Sequence, residues 1–185
     1  MPNRLVILDR DGVINQDSDE FIKSPDEWAP IPGSLAAIGR LSCAGFEVAV
    51  ATNQSGIGRK LFDVTALNAI HRKMVDAARD AGGDIGNIVY CPHHPDAGCD
   101  CRKPQPGLLN QLSRRYGVPL DNVPVIGDSV RDIDAALAVG ARPILVLTGN
   151  GVRTRKVLSD RGIDIDTFDD LGAAADALSS QLGTS

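Results

Sequence analysis

Five short apolar runs constrain this chain more than anything else in it. Residues 4–9 (RLVILD), 47–53 (EVAVATN), 87–91 (NIVYC), 123–129 (VPVIGDS) and 143–149 (PILVLTG) are rich in β-branched side chains and lack strict polar–apolar alternation. A strand solvated on one face must alternate, whereas one buried on both faces need not, so these runs predict a parallel sheet covered by helices on both sides. Helical patterns lie between them. Residues 33–44 open at Gly33-Ser34 and stop at Gly45. Residues 64–81 follow Asp63 as N-cap, space Val64, Leu67, Ile70, Met74, Ala77 and Ala81 by threes and fours, and stop at Gly82-Gly83. Residues 105–116, 130–139, 151–161 and 170–181 complete the set. This alternation predicts a doubly wound, mainly parallel α/β fold with right-handed crossovers. At 185 residues the chain fits one domain over 1–185, with Gly183-Thr184-Ser185 fraying. Cys43 is expected to be buried on its helix and His71 to lie at the surface or be partly packed.

Charge and hydropathy narrow the partners. A net charge of −5 argues against a generic nucleic-acid surface, which needs a basic face. No run approaches the roughly 18 apolar residues of a membrane span. Met1-Pro2-Asn3-Arg4 leads into a short apolar run without a cleavage-type segment, so a cytoplasmic protein is expected. In that reducing compartment four cysteines read as thiols or metal ligands rather than disulfides.

Open α/β sheets collect ligands at the carboxyl ends of their strands. The first predicted strand ends at Asp9 with Asp11 just beyond, the second at Thr52-Asn53 and the fourth at Gly127-Asp128, while Lys103 follows the third. A lone Asp-x-Asp would fit a solvated turn. Three carboxylates and a lysine converging on one crevice instead suggest a metal-assisted phosphate site. Asp9 and Asp128 are hard oxygen donors suited to Mg²⁺. One aspartate can attack phosphorus and form an aspartyl-phosphate, and a second can give a proton to the leaving alkoxide and take one from water.

Asp9-Arg10-Asp11-Gly12-Val13, Thr52-Asn53, Lys103 and Gly127-Asp128-Ser129-Val130-Arg131-Asp132 resemble, in order, the four motifs of the haloacid dehalogenase superfamily of phosphatases. The resemblance spans nearly the whole chain. It implies Asp9 as nucleophile, Asp11 as general acid/base, and Thr52 and Lys103 as stabilisers of the transferring phosphoryl group. It implies Mg²⁺ held by the Asp9 carboxylate, the Asp11 backbone carbonyl and Asp128. Asp132 matches a second acidic position that supports the metal shell, and also fits a helix-capping residue.

In CPHHPDAGCDCRKP (91–104), Cys91, His93, Cys99 and Cys101 form C-x-H-x₅-C-x-C, a Cys₃His set suited to a closed structural Zn²⁺ site. His94 is the neighbouring candidate and a disulfide the other reading of the cysteines. The loop has no apolar side chains of its own to bury, so a metal staple is expected, placing Arg102 and Lys103 directly after its last ligand. With this loop the chain is similar to the zinc-loop subgroup of the superfamily. The stretches DRDGVIN, TNQSGIGR (52–59), YCPHH and CDCRKPQPG (99–107) resemble phosphatases that remove the C7 phosphate of a heptose 1,7-bisphosphate for surface polysaccharide synthesis. Histidinol-phosphate phosphatases are the nearest alternative. An inactive relative using its zinc loop as an interaction module is the alternative of another class. Val13 stands where threonine is common, and the zinc loop is short.

About 40 residues separate Asp11 from Thr52 and about 50 separate Thr52 from Lys103, each largely used by one helix, so no ordinary cap domain fits. The site is expected to be open, with selectivity supplied by the loop 15–28 and the zinc loop. The resemblance implies Asp17, Ser18, Asp19 and Glu20 near sugar hydroxyls and Asn53, Gln54 and Ser55 near the phosphate. Arg102 would hold the distal C1 phosphate, which a guanidinium fork suits. A phosphosugar substrate, no nucleic-acid or membrane partner and a monomer complete the expectation.

Overall fold

The computed structural model describes residues 4–181. The expected fraying at 183–185 lies outside them. Six parallel strands form one sheet: β1 (Arg4–Leu8), β2 (Phe46–Asn53), β3 (Asn87–Cys91), β4 (Pro124–Gly127), β5 (Arg142–Val146) and β6 (Asp166–Phe168), in the order β3-β2-β1-β4-β5-β6. The helices are α1 (Ser34–Cys43), the short α2 (Ser55–Gly58), α3 (Val64–Asp80), α4 (Gly107–Tyr116), α5 (Val130–Leu137), α6 (Gly151–Asp160) and α7 (Leu171–Ser180). No helix among the described residues is long and apolar enough to cross a membrane.

The lack of alternation in the apolar runs has the expected cause. Side chains in β1 point alternately up and down, and both directions are buried. Val6 and Leu8 join the core built with Ile38, Leu41, Ile70, Met74 and Leu178, from α1, α3 and α7. Leu5 and Ile7 join the opposite core with Leu108, Leu112 and Ala135, from α4 and α5. The layers are therefore helix, sheet, helix, without a separate cap over the carboxyl ends of the strands among the described residues.

The strand order reverses around β1, which pairs with β2 on one side and β4 on the other. That switch point opens a crevice beyond the strand ends. Register brings the same level of each strand to it: Leu8 pairs with Val50 and with Ile126, and the Asp9 amide donates to the Ile126 carbonyl at 2.9 Å.

Four sequence expectations change. The three-residue strand β6, at one edge of the sheet, was not legible because its exposed edge position leaves no apolar run. β4 stops at Gly127 because Asp128 turns away towards Ser129, which caps α5. Cys43 is exposed on the last turn of α1 rather than buried. His71 is only 7 % exposed, since it lies four residues after Leu67 and three before Met74, on the stripe that α3 turns to the core.

Candidate active site

A cavity of about 380 Å³ opens at the switch point and is lined by residues from most of the predicted motifs. Asp9, Asp128 and Asp132 bring carboxylate oxygens within 4.8 Å of one another. Gly12 makes this approach possible: it has φ of 81°, and a Cβ there would collide with the Asp128 carboxylate. Lys103 enters from the loop after β3 and is almost fully buried. Its Nζ donates to Asp9 Oδ1 at 2.9 Å and to the Ala51 carbonyl at 2.7 Å, and lies 2.6 Å from Asp132 Oδ1. The last contact is an ion pair approached off the hydrogen-bond angle, so Asp132 Oδ1 is close to a charge without a directed bond.

Electrostatics follow from this crowding. Burial pushes the Asp9 carboxyl well above its ordinary range, Asp132 adds to the rise, Lys103 opposes it, and Asp128 and Asp11 add further. Burial also raises Asp128 to about 6, helped by Asp132 and countered by hydrogen bonds from Asn150. Burial pulls the Lys103 pKa down, but Asp132 and Asp9 outweigh it and the net shift is upward. A crowded anionic pocket of this kind favours a cation, and the Asp9–Asp128 pair offers Mg²⁺ hard oxygens. Asp132 is a poorer donor. Its Oδ2 accepts from the Ser129 amide at 3.0 Å and the Ser129 hydroxyl at 2.6 Å, and Oδ1 faces Lys103.

Asp11 is held differently. Arg10 donates to its carboxylate from Nε and Nη2, Asn15 Nδ2 donates at 2.9 Å, and Gln54 Nε2 donates at 2.9 Å. Thr52 is 1 % exposed at the cavity wall, and its hydroxyl accepts from Gln54 Nε2 at 2.9 Å. Asn53 clamps the Lys103 backbone, donating to its carbonyl at 3.1 Å and accepting from its amide at 3.0 Å. Ser55, Asp17 and Ser18 also line the cavity. Asp19 and Glu20 do not: both are exposed, beyond the turn where Ser18 Oγ accepts from the Glu20 amide. Arg102 lines the cavity with a buried Nη1 that has no partner. Arg59 and Arg131 line it as well, although sequence reasoning passed over both.

The loop after β5 was also passed over. Asn150 donates to Asp128 Oδ2 from its amide at 2.7 Å and its side chain at 3.2 Å, and Thr148 donates to the Gly12 carbonyl at 2.6 Å. Their position at a strand end was the available signal.

Beside the cavity, Cys91, His93, Cys99 and Cys101 place four ligand atoms within 4.8 Å of one another. The Cys91–Cys99 and Cys99–Cys101 sulfur separations are both 3.6 Å. That is too long for a disulfide and close to the edge, roughly 3.8 Å, of a tetrahedron with Zn–S bonds of about 2.3 Å. His94 stands apart, its Nδ1 accepting from the Asp96 amide at 3.3 Å. Cys91 ends β3 opposite Asn53, and its carbonyl accepts from the Gln54 amide at 2.8 Å, so the cluster adjoins the phosphate motif directly.

An aspartate pair, a buried lysine at the switch point and a matching chain order define a phosphatase of the haloacid dehalogenase type. Family models agree: residues 100–174 match one described as HAD-hydrolase-like, and residues 4–136 match that of polynucleotide kinase 3 phosphatases. The chain is 55 % identical over 178 residues to the D-glycero-beta-D-manno-heptose-1,7-bisphosphate 7-phosphatase of Pseudomonas aeruginosa, covering 96 % of this chain and 99 % of that one. It is 54 % identical to the Bordetella bronchiseptica protein of the same name, over 95 % and 97 % of the two chains. A crystal structure of the B. bronchiseptica D,D-heptose 1,7-bisphosphate phosphatase complexed with magnesium and phosphate superimposes with a TM-score of 0.91 at 52 % identity, covering 96 % and 99 %. The Burkholderia thailandensis enzyme gives 0.73 at 44 %, covering 95 % and 98 %. This chain belongs to the D-glycero-beta-D-manno-heptose-1,7-bisphosphate 7-phosphatase family.

Proposed function

We propose that the chain hydrolyses the C7 phosphate of D-glycero-β-D-manno-heptose 1,7-bisphosphate through a covalent aspartyl-phosphate. The observation that carries the reading is a single cavity lined by Asp9, its ion-pair partner Lys103, Asp128 and an Arg102 whose buried Nη1 has no hydrogen-bond partner. A bisphosphate needs both a reacting and a holding end. Relatives more than half identical over nearly the whole chain carry this activity in their names.

In this reading Asp9 Oδ attacks phosphorus as the phosphorus–alkoxide bond breaks, and Asp11 gives the departing C7 oxygen its proton. Water then attacks the aspartyl-phosphate, passes a proton to Asp11, and releases phosphate with Asp9 restored. Lys103 and the Thr52 hydroxyl stabilise charge on the transferring group, and Asn53 fixes Lys103 through its backbone. When bound, Mg²⁺ supplies positive charge to the anionic pocket; the Asp9 and Asp128 carboxylates and the Asp11 carbonyl would hold it. Ser55, Asp17 and Ser18 line the route of the sugar, and Arg102 holds the C1 phosphate. Cys91, His93, Cys99 and Cys101 would hold structural Zn²⁺, leaving no open position for chemistry.

The test is phosphate release from the α and β heptose 1,7-bisphosphates and from histidinol phosphate, side by side, with Mg²⁺ and purified protein. The expected order is β-bisphosphate first, with histidinol phosphate far behind. Preference for histidinol phosphate, or no hydrolysis of any of the three, would overturn the reading.

A further inference from the structure

Behind Asp11 lies a charge that the proposed chemistry does not use. Arg10 is 1 % exposed, unusual for a guanidinium on a chain this polar. Its Nε donates to Asp11 Oδ1 at 3.0 Å, and its Nη2 donates to Oδ1 at 2.8 Å and to Oδ2 at 3.0 Å. The other end of the fork, Nη1, lies 3.4 Å from His71 Nε2. Arginine has donors only, so Nε2 must present its lone pair, and the ring proton belongs on Nδ1. A neutral ring fits its surroundings: burial first, then Arg10, hold the His71 pKa down to about 3, against a smaller upward pull from Asp11. The ring also tilts against Tyr90 at a centroid distance of 6.1 Å, wedged between α3 and the end of β3.

Each contact narrows the freedom of the next. α3 seats His71, His71 accepts from the back of Arg10, and the front of Arg10 grips both oxygens of Asp11. Asn15 and Gln54 grip the same carboxylate from other directions. The Arg10 backbone amide donates to Asp9 Oδ1 at 2.8 Å, but none of these side chains hydrogen-bonds Asp9, Lys103 or Asp128 among the described residues. Two carboxylates one residue apart therefore have separate side-chain supports. Lys103 serves Asp9, and a buried arginine backed by a neutral histidine serves Asp11.

We propose that Arg10 and His71 are positioning residues for proton transfer, fixing the Asp11 carboxyl where it meets first the leaving oxygen and then the attacking water. This rests on the reading of Asp11 as proton carrier. Breaking the support slows protonation of an alkoxide leaving group and proton removal from water, but leaves attack by Asp9 intact.

p-Nitrophenyl phosphate separates the two, because nitrophenolate departs without a proton. With the full-length Mg²⁺-loaded protein, His71→Leu is expected to lower kcat for p-nitrophenyl phosphate about tenfold to a hundredfold, less than the roughly 10²–10⁴-fold of losing the proton carrier itself, with KM falling in parallel so that kcat/KM is nearly unchanged. Rapid mixing with p-nitrophenyl phosphate is expected to give a burst of one nitrophenolate per chain followed by slow turnover. A heptose bisphosphate is expected to give no burst of product. His71→Gln, whose amide oxygen accepts from Arg10 in place of Nε2, is expected to recover most of the rate. Arg10→Met should reproduce His71→Leu in stronger form, and Asp11→Asn supplies the reference burst. Full activity in His71→Leu overturns the proposal. So does a burst lost in parallel with turnover, which would place the damage at Asp9 or Lys103, and so does a glutamine variant no better than leucine. If Asp11→Asn itself gives no burst, the role of Asp11 falls and the proposal with it.

Discussion

Lys103 Nζ lies 2.6 Å from Asp132 Oδ1, and both residues are almost fully buried. A lysine taken out of water loses the hydration that keeps it charged, and Asp132 is the largest influence restoring that charge. The partner also fixes its direction, because Asp132 is itself pinned by the Ser129 amide and hydroxyl at the start of α5. The second acidic position of the fourth motif thus serves the lysine at least as directly as any metal. Asp132→Asn is expected to lower kcat by more than tenfold while the Mg²⁺ concentration for half-maximal rate stays nearly constant. Asp128→Asn is expected to raise that concentration sharply. Magnesium titrations of both variants check this, and equal shifts would place Asp132 among the metal ligands.

Asp9→Asn removes the attacking oxygen anion and is expected to abolish turnover. Asp11→Asn keeps the backbone carbonyl and is expected to retain Mg²⁺ binding while losing roughly 10²–10⁴-fold in rate. Calorimetric Mg²⁺ binding alongside steady-state kinetics tests the contrast. A near-normal rate in Asp9→Asn would end the covalent mechanism.

Purified protein prepared without chelator is expected to carry about one zinc per chain, the load of a single Cys₃His set. Stripping it should expose residues 91–103 to proteolysis and lower activity by displacing Arg102 and Lys103, and Mg²⁺ alone should not restore the rate. Elemental analysis decides the first point and limited proteolysis the second.

Arg102→Ala is expected to lower kcat/KM for the heptose bisphosphate by one to three powers of ten, about 1.4–4 kcal/mol. Monophosphates lack the distal group and should change far less. Arg102→Lys should recover only part, because an ammonium cannot form the fork. Equal losses on both substrates would show that Arg102 serves the chemistry or the fold.

His71 gives acid a foothold. Its folded pKa sits near 3, below the ordinary value of 6.5, so the unfolded chain binds its proton more readily. Its contribution to stability is therefore whole above the ordinary pKa and is lost as pH falls towards the folded one, by up to roughly 1.4 kcal/mol per pH unit. Between pH 6.5 and 4.5 the melting temperature of the wild type should fall more steeply than that of His71→Gln. Parallel curves for the two proteins would contradict this.

What could be read from the sequence divides along physical lines. β1 to β5 were legible because strands buried on both faces must be apolar throughout, and β6 was not, because an exposed edge strand carries no such demand. Asp9, Asp128 and Lys103 were legible because charges at strand ends have few other reasons to gather there. Asn150 and Thr148 escaped notice since they act through short polar contacts with Asp128 and Gly12, partners distant in sequence. The Arg10–His71 contact spans 61 positions and joins a motif residue to a helix stripe, which no local pattern reports. Asp19 and Glu20 belonged to a run whose first two members reach the cavity, but the turn at Ser18 carries the others out to solvent.

A sheet whose strands all run one way also sorts the molecule by tolerance. Every cavity-lining residue belongs to segments at the carboxyl ends of the strands or to the helix starts that follow them. The opposite rim, where α4 ends at Gly117, α5 leads to Gly140 and α6 leads to Gly162, carries none of them. Those turns are the places to graft a tag, a linker or a surface tether, since a graft there leaves the mouth of the cavity facing open solution.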